Sequence, residues 1–151
     1  MLKGELTQQL FQMHYRMFRL DLWDILDAMP RSEFFLLQQL YKQKSKSDLL
    51  THSQLAERLK LSNPAISRTV KQLVAKEWLA RQNNEEDRRH TYLILTELGQ
   101  QAYLETREQL ELFVDESLEK LDVKDIETYI RVGHQIHDAF LETAASLSQA
   151  E

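Results

Sequence analysis

From Leu6 to Met29 the apolar residues recur at helical spacing in two stripes: Leu6, Leu10, Met13, Met17 and Leu20, and Phe11, Phe18, Leu22, Ile25 and Met29. A surface helix of a single domain needs one apolar face, so two stripes predict a helix that packs on its own body and on a partner. Pro30 stops it. A second helix, over about 33–43, turns Phe34, Leu37, Leu40 and Tyr41 inward, and the polar run Lys44-Ser-Lys-Ser-Asp48 then breaks the pattern and predicts a loop.

Thr51-His-Ser-Gln54 has the spacing of a capping box, in which the threonine hydroxyl and the glutamine side chain satisfy reciprocal orphan amides. It opens a short helix over about 52–59. Leu61-Ser62-Asn63-Pro64 then makes a tight turn, with Ser62 as N-cap and the proline in the first helical turn, where its missing amide is not needed. The next helix runs over about 63–76. After Trp78-Leu79 the period shortens, and two extended runs, over about 79–82 and 91–95, flank the polar Asn83-Asn-Glu-Glu-Asp-Arg-Arg89. This is a hairpin with a long charged tip. Thr96 starts a long helix to about 120 with Leu110, Phe113, Val114, Leu118 and Leu121 on one face, and Asp122 caps a last one bearing Ile126, Tyr129, Ile130, Ile136, Phe140 and Leu141. The expected fold is mainly α with a small β-hairpin wing. Its order, two helices followed by a short helix, a tight turn, a helix and a charged hairpin, is that of a winged helix-turn-helix, in which the helix after the turn enters the DNA major groove.

Composition narrows the chemistry. The chain has 151 residues, enough to bury a core without staples, and it has no cysteine, which removes disulfides, thiol nucleophiles and thiolate metal sites together. With Gly4, Gly99 and Gly133 as its only glycines, neither a P-loop nor a G-x-G-x-x-G turn can be written. No apolar run approaches the roughly 20 residues of a membrane span, and the N-terminus lacks the apolar stretch and cleavage site of a secretory signal, so a cytoplasmic protein is expected. The net charge of -5 is unevenly spread: residues 1–50 carry +1, residues 51–92 carry +3 and residues 93–151 carry -9. An acidic segment cannot lie against phosphate, so a nucleic-acid contact falls to the middle third. The acidic helices read equally well as solvated faces.

Advancing about 100° per residue along residues 63–76 puts Ile66, Val70 and Leu73 on one side and Pro64, Ser67, Arg68, Lys71 and Gln72 on the other. Arginine can grip guanine O6 and N7 by two parallel hydrogen bonds, glutamine can do the same for adenine, and serine can serve either base. At the hairpin tip Arg88 and Arg89 suit insertion into a narrow minor groove, and Asp87 can orient an arginine by a charge-assisted hydrogen bond. Taken singly, each of these features also reads as an ordinary solvated surface.

The runs Leu55-Ala-Glu-Arg-Leu59, Leu61-Ser-Asn-Pro-Ala-Ile-Ser-Arg-Thr-Val-Lys-Gln-Leu73, Trp78-Leu79, Glu86-Asp-Arg-Arg89 and Leu93-Ile-Leu-Thr-Glu-Leu-Gly99 resemble the multiple-antibiotic-resistance regulator (MarR) family. The D-R-R wing followed by L-T-x-x-G is the most specific element. The resemblance implies one domain over 1–151, with residues 1–30 and 97–151 as dimerisation helices and 31–96 as the winged helix-turn-helix. It implies a homodimer on double-stranded DNA, at a pseudo-palindromic operator, with recognition helices in successive major grooves and wings in the flanking minor grooves. By position, Ser62, Asn63, Ala65, Ser67, Arg68 and Lys71 match DNA-facing residues, Arg89 the minor-groove arginine and Asp87 its orienting partner. Pro64 departs from the family's usual small residue, and Glu85 from its frequent proline.

The implied function is a transcriptional repressor released by a small aromatic or amphipathic effector, for which Trp23, Phe34 and Tyr41 are candidate pocket residues, with packing in the core as the plainer reading. Neither a cofactor nor a metal is expected. His134 and His137 are spaced i, i+3 beside Asp138 but lack a further convergent ligand, which keeps a metal-responsive repressor as an alternative. His14, His52 and His90 are isolated. No positioned nucleophile is written in the chain, so no enzymatic activity is expected. A winged-helix protein-interaction module without DNA binding is the alternative from another class.

Overall fold

The computed structural model describes residues 4–43, 49–83 and 91–148. Seven helices and three short strands follow one another as α1 (Gly4–Phe18), α2 (Leu22–Ile25), α3 (Arg31–Tyr41), β1 (Leu50–Thr51), α4 (His52–Leu59), α5 (Asn63–Ala75), β2 (Leu79–Asn83), β3 (Thr91–Leu95), α6 (Glu97–Leu118) and α7 (Val123–Ser148) among the described residues. The chain divides into two compact units, Met1–Glu111 and Leu112–Glu151.

The helix expected from Leu6 to Met29 is broken. Leu20 and Leu22 keep the apolar spacing, but Asp21 leaves the helix and its carboxylate accepts hydrogen bonds from the Trp23 and Asp24 amides, at 3.0 and 3.5 Å, to cap the short α2. Aspartate competes in this way because its side chain can replace a backbone carbonyl. Asp27 then adopts a left-handed conformation, φ 47°, that turns the chain into α3. On α1 the positions Leu6, Phe11, Met13 and Met17 are exposed, Phe11 by 67%.

The core of the first unit is built where α3, α4, α5 and the sheet meet. Leu36, Leu37 and Leu40 of α3, Leu55 of α4, and Ile66, Val70 and Leu73 of α5 are buried, together with Leu50, Leu79 and Leu93 from the three strands. The strands form an antiparallel sheet in the order β1-β3-β2, with Leu50 opposite Leu93 and Leu79 opposite Leu95. The hairpin is the expected one. β1 adds a third strand to it. Tyr103 of α6 joins this core, its ring 5.2 Å from that of Phe34 and 4.9 Å from that of Tyr41.

Among the described residues one ionisable acidic side chain is buried with the apolar core. Glu33 of α3 is 2% exposed, and its carboxylate accepts a hydrogen bond of 2.6 Å from Lys76 Nζ at the end of α5. The ammonium also lies 4.7 Å from the centroid of the Trp78 ring, a cation–π contact. These contacts tie the end of α5 to α3.

In the second unit α7 begins after Asp122, whose carboxylate accepts from the Lys124 amide at 2.7 Å. None of its described residues is buried, and Tyr129, Ile130, Phe140 and Leu141 are each more than half exposed.

Candidate nucleic-acid interface

The helix-turn-helix is set by three local devices. Thr51 accepts from the Gln54 amide at 3.3 Å while the Gln54 side chain accepts from the Thr51 amide at 2.9 Å, which is the expected capping box. Lys60 closes α4 in the left-handed conformation, φ 51°, and the Leu61 amide returns to the Ala56 carbonyl at 3.0 Å. Ser62 then caps α5, its hydroxyl accepting from the Ala65 amide at 3.4 Å, with Pro64 in the first turn. Such a turn fixes the angle at which α5 leaves α4.

α5 has two faces. Ile66, Thr69, Val70 and Leu73 are buried, and Thr69 spends its hydroxyl on the Ala65 carbonyl at 3.2 Å. Ser62, Asn63, Pro64, Ser67, Arg68, Lys71 and Gln72 are exposed, and Ala65 lies between the faces, half-buried. The face named from the sequence is therefore a polar surface bearing one guanidinium, one ammonium, two carboxamides and two hydroxyls. It can donate to and accept from base edges and phosphate. One link across to α4 was not legible in the sequence: Ser67 Oγ lies 3.1 Å from His52 Nε2.

The strands of the wing stay in register to Asn83 opposite Thr91, where the Thr91 hydroxyl donates to Asn83 Oδ1 at 3.3 Å. Ala80, Arg81, Gln82 and Asn83 of β2 are all exposed. Asp87, Arg88 and Arg89 lie outside the described residues.

The three residues named for an effector pocket are distributed differently. Phe34 and Tyr41 line an open groove of about 460 Å³ in the first unit, with Lys42 and with Tyr103, Arg107 and Leu110 of α6. Trp23 is not among its lining residues; it packs on Phe34 and Phe35, ring centroids 5.9 and 5.6 Å away, beneath the Arg31 guanidinium at 5.4 Å. Arg107 Nε donates to Glu111 Oε1 at 2.6 Å, and this hydrogen bond and the adjoining negative charge raise its already high pKa. It remains a cation. Tyr103 and Arg107 are additions to the sequence reading.

On α7 His137 Nδ1 lies 3.1 Å from Asp138 Oδ1, both side chains exposed. Among the described residues no three histidine or carboxylate side chains are grouped to hold a metal ion. Nor, among them, is any helix long and apolar enough to cross a membrane.

Residues 29–91 match the model of the MarR family. Solved structures share the fold: Staphylococcus aureus MarR in complex with salicylate and kanamycin is 18% identical at a TM-score of 0.76, covering 91% of this chain and 94% of that one. A MarR family protein from Bacillus stearothermophilus is 16% identical at 0.72, covering 93% and 99%. The PcaV transcriptional regulator of Streptomyces coelicolor, in complex with its natural ligand, is 20% identical at 0.62, covering 90% and 92%. No curated protein sequence matches the chain significantly. The resemblance to the MarR family is thus borne out, and the fold is that of the solved MarR-family structures.

Proposed function

We propose that this winged-helix chain, with the MarR-matching segment at 29–91, is a sequence-specific DNA-binding repressor that acts as a homodimer. The observation that carries the reading is the exposed polar face of α5, Ser67, Arg68, Lys71 and Gln72, opposite a buried apolar one and directly after the capped turn. Ser62, Asn63 and Ala65 join that face at its N-terminal end, where a recognition helix contacts bases. Arg88 and Arg89, oriented by Asp87, act in the minor groove. Residues 31–96 read DNA, and residues 1–30 and 97–151 dimerise. The exposed Leu6, Phe11, Met13 and Met17 of α1 and Tyr129, Ile130, Phe140 and Leu141 of α7 support dimerisation, since a second copy would cover them. The two recognition helices then stand about 34 Å apart, one turn of DNA.

The groove between Phe34, Tyr41, Tyr103 and Leu110, with Lys42 and the Arg107–Glu111 pair on its lining, suits a small aromatic or amphipathic effector. The S. aureus relative was solved with salicylate, a molecule of that kind. An effector bound there and favouring a different helix spacing lowers DNA affinity by reciprocal coupling, typically by about 1 to 3 kcal/mol.

One titration series tests the reading, following the anisotropy of a labelled duplex selected by the protein from randomised DNA. Arg68→Ala is expected to lose about 1 to 3 kcal/mol and to relax preference at one base position, as loss of a bidentate contact does. Lys71→Ala should weaken all sequences alike and reduce the salt slope by about one counterion. Equal, sequence-blind losses from both would remove Arg68 as a base reader. Binding insensitive to salt would favour the protein-interaction module instead. With the complex formed, aromatic acids should release the duplex and a zinc chelator should not; the reverse outcome would identify a metal-responsive repressor. Sedimentation of the same sample at micromolar concentration should show a dimer, and a monomer there defeats the assembly.

A further inference from the structure

A serine or threonine hydroxyl within a helix can turn back to the carbonyl four residues earlier. Thr69, Thr143, Ser146 and Ser148 all do so in this chain, at 3.2, 2.8, 2.9 and 3.0 Å. Ser67, on the exposed face of α5, instead meets a side chain of another helix, its Oγ 3.1 Å from His52 Nε2. His52 is the first residue of α4, and the Thr51–Gln54 capping box fixes the turn from which it projects. The imidazole is half-buried while Ser67 is open to solvent. The pair is therefore a supported hydroxyl rather than two freely rotating groups.

We infer that His52 is a positioning residue that sets the hydrogen-bonding polarity of Ser67 toward DNA, so that the base preference of α5 depends on a side chain of α4. The inference rests on α5 being the DNA-reading helix. A hydroxyl has one proton and two acceptor lone pairs, and alone it rotates to serve any base. Where Nε2 bears no proton, it accepts the Ser67 proton, and the serine oxygen can only accept, from adenine N6 or cytosine N4. Where Nε2 bears the proton, it donates to the serine oxygen. The serine proton then points outward, toward guanine O6 or N7, adenine N7 or thymine O4. Either arrangement converts an indiscriminate hydroxyl into a selective one. It does so without His52 touching a base.

The experiment is selection from a pool of randomised duplexes by the full-length protein, with sequencing of the bound fraction. Four proteins are compared, wild type, His52→Phe, His52→Gln and Ser67→Ala, together with the His52→Phe/Ser67→Ala double variant. Thermal melting checks that each is folded. The wild type is expected to enrich a motif. His52→Phe keeps a ring but no polar atom, and should lose roughly fivefold preference at one position of each half-site, the worth of one hydrogen bond. Its affinity for unselected duplex should be unchanged. His52→Gln, whose amide can donate and accept, should recover part of that preference. Ser67→Ala should lose preference at the same position, and adding His52→Phe should change nothing more. Preference retained in His52→Phe would overturn the inference. So would a loss shared equally by selected and unselected duplexes, which marks a phosphate contact, or a His52 effect that persists in full without Ser67. If the wild type itself enriches no motif, the DNA-reading role of α5 fails, and this inference falls with it.

Discussion

Lys76→Met is expected to destabilise the protein by about 2 to 4 kcal/mol, measured as a drop in the urea midpoint with an unchanged slope. Glu33, 2% exposed, would be left with its carboxylate in the core and its ammonium partner gone. Breaking a buried pair typically costs about 3 to 5 kcal/mol, because the surviving charge has lost water and partner alike. The Lys76 side chain is 40% exposed, so water can enter where the ammonium stood, and this lowers the expected loss by about 1 kcal/mol from that range. Glu33→Leu combined with Lys76→Met should recover most of the stability, since an apolar pair of similar volume escapes the desolvation cost. A single Lys76→Met variant as stable as wild type would mean that Glu33 does not need the ammonium. The pair joins α3, which bears the groove residues Phe34 and Tyr41, to the last turn of the helix proposed to read DNA. Its loss should therefore be read in DNA affinity as well as in stability.

Much of the fold was legible because its signals are local. The T-x-x-Q box and the Leu61-Ser-Asn-Pro64 turn put α4 at His52–Leu59 and the start of α5 at Asn63, where they are found. The two faces of α5 follow from 3.6-residue periodicity alone, which is why Ser67, Arg68, Lys71 and Gln72 could be named before the structure. The break before α2 was hidden because Leu20 and Leu22 preserve the apolar rhythm across it, and only the capping by Asp21 reveals it. β1 is two residues long, too short for any alternation to register. The pairs that join distant segments were not legible at all. Nothing in the sequence brings Glu33 to Lys76, 43 residues on, or His52 to Ser67, 15 residues on, because the meeting depends on how α3, α4 and α5 pack. Tyr103 and Arg107 escaped notice for the same reason: the groove exists only once α6 lies against α3.

The L-T-x-x-G run was legible as a motif, and the structure supplies its physical reason. Thr96 stitches two turns together: its hydroxyl donates to the Glu77 carbonyl at 2.8 Å and accepts from the Gly99 amide at 3.0 Å, while its own amide donates to the Trp78 carbonyl at 3.2 Å. This draws the first turn of α6 so close to Trp78 that a Cβ on Gly99 would sit 2.2 Å from the Trp78 carbonyl oxygen and 2.9 Å from its carbon. Both obstacles are backbone, held by hydrogen bonds, and neither can rotate aside. Gly99→Ala is therefore expected to cost about 3 kcal/mol or more, at the upper end of overpacking, after allowing for the roughly 1 kcal/mol by which alanine favours a helix. Gly133, in α7, provides the contrast, since a Cβ there would meet nothing within 4 Å in its own chain. Gly133→Ala should be neutral or stabilise by up to about 1 kcal/mol. Urea unfolding of both variants, at one protein concentration because the stability of the proposed dimer would depend on it, should show a loss for Gly99→Ala and none for Gly133→Ala. A Gly99 variant as stable as wild type would refute the close approach. A marked loss at Gly133 would instead report a second chain pressed against α7, and would locate the proposed dimer contact by the side chain it cannot admit.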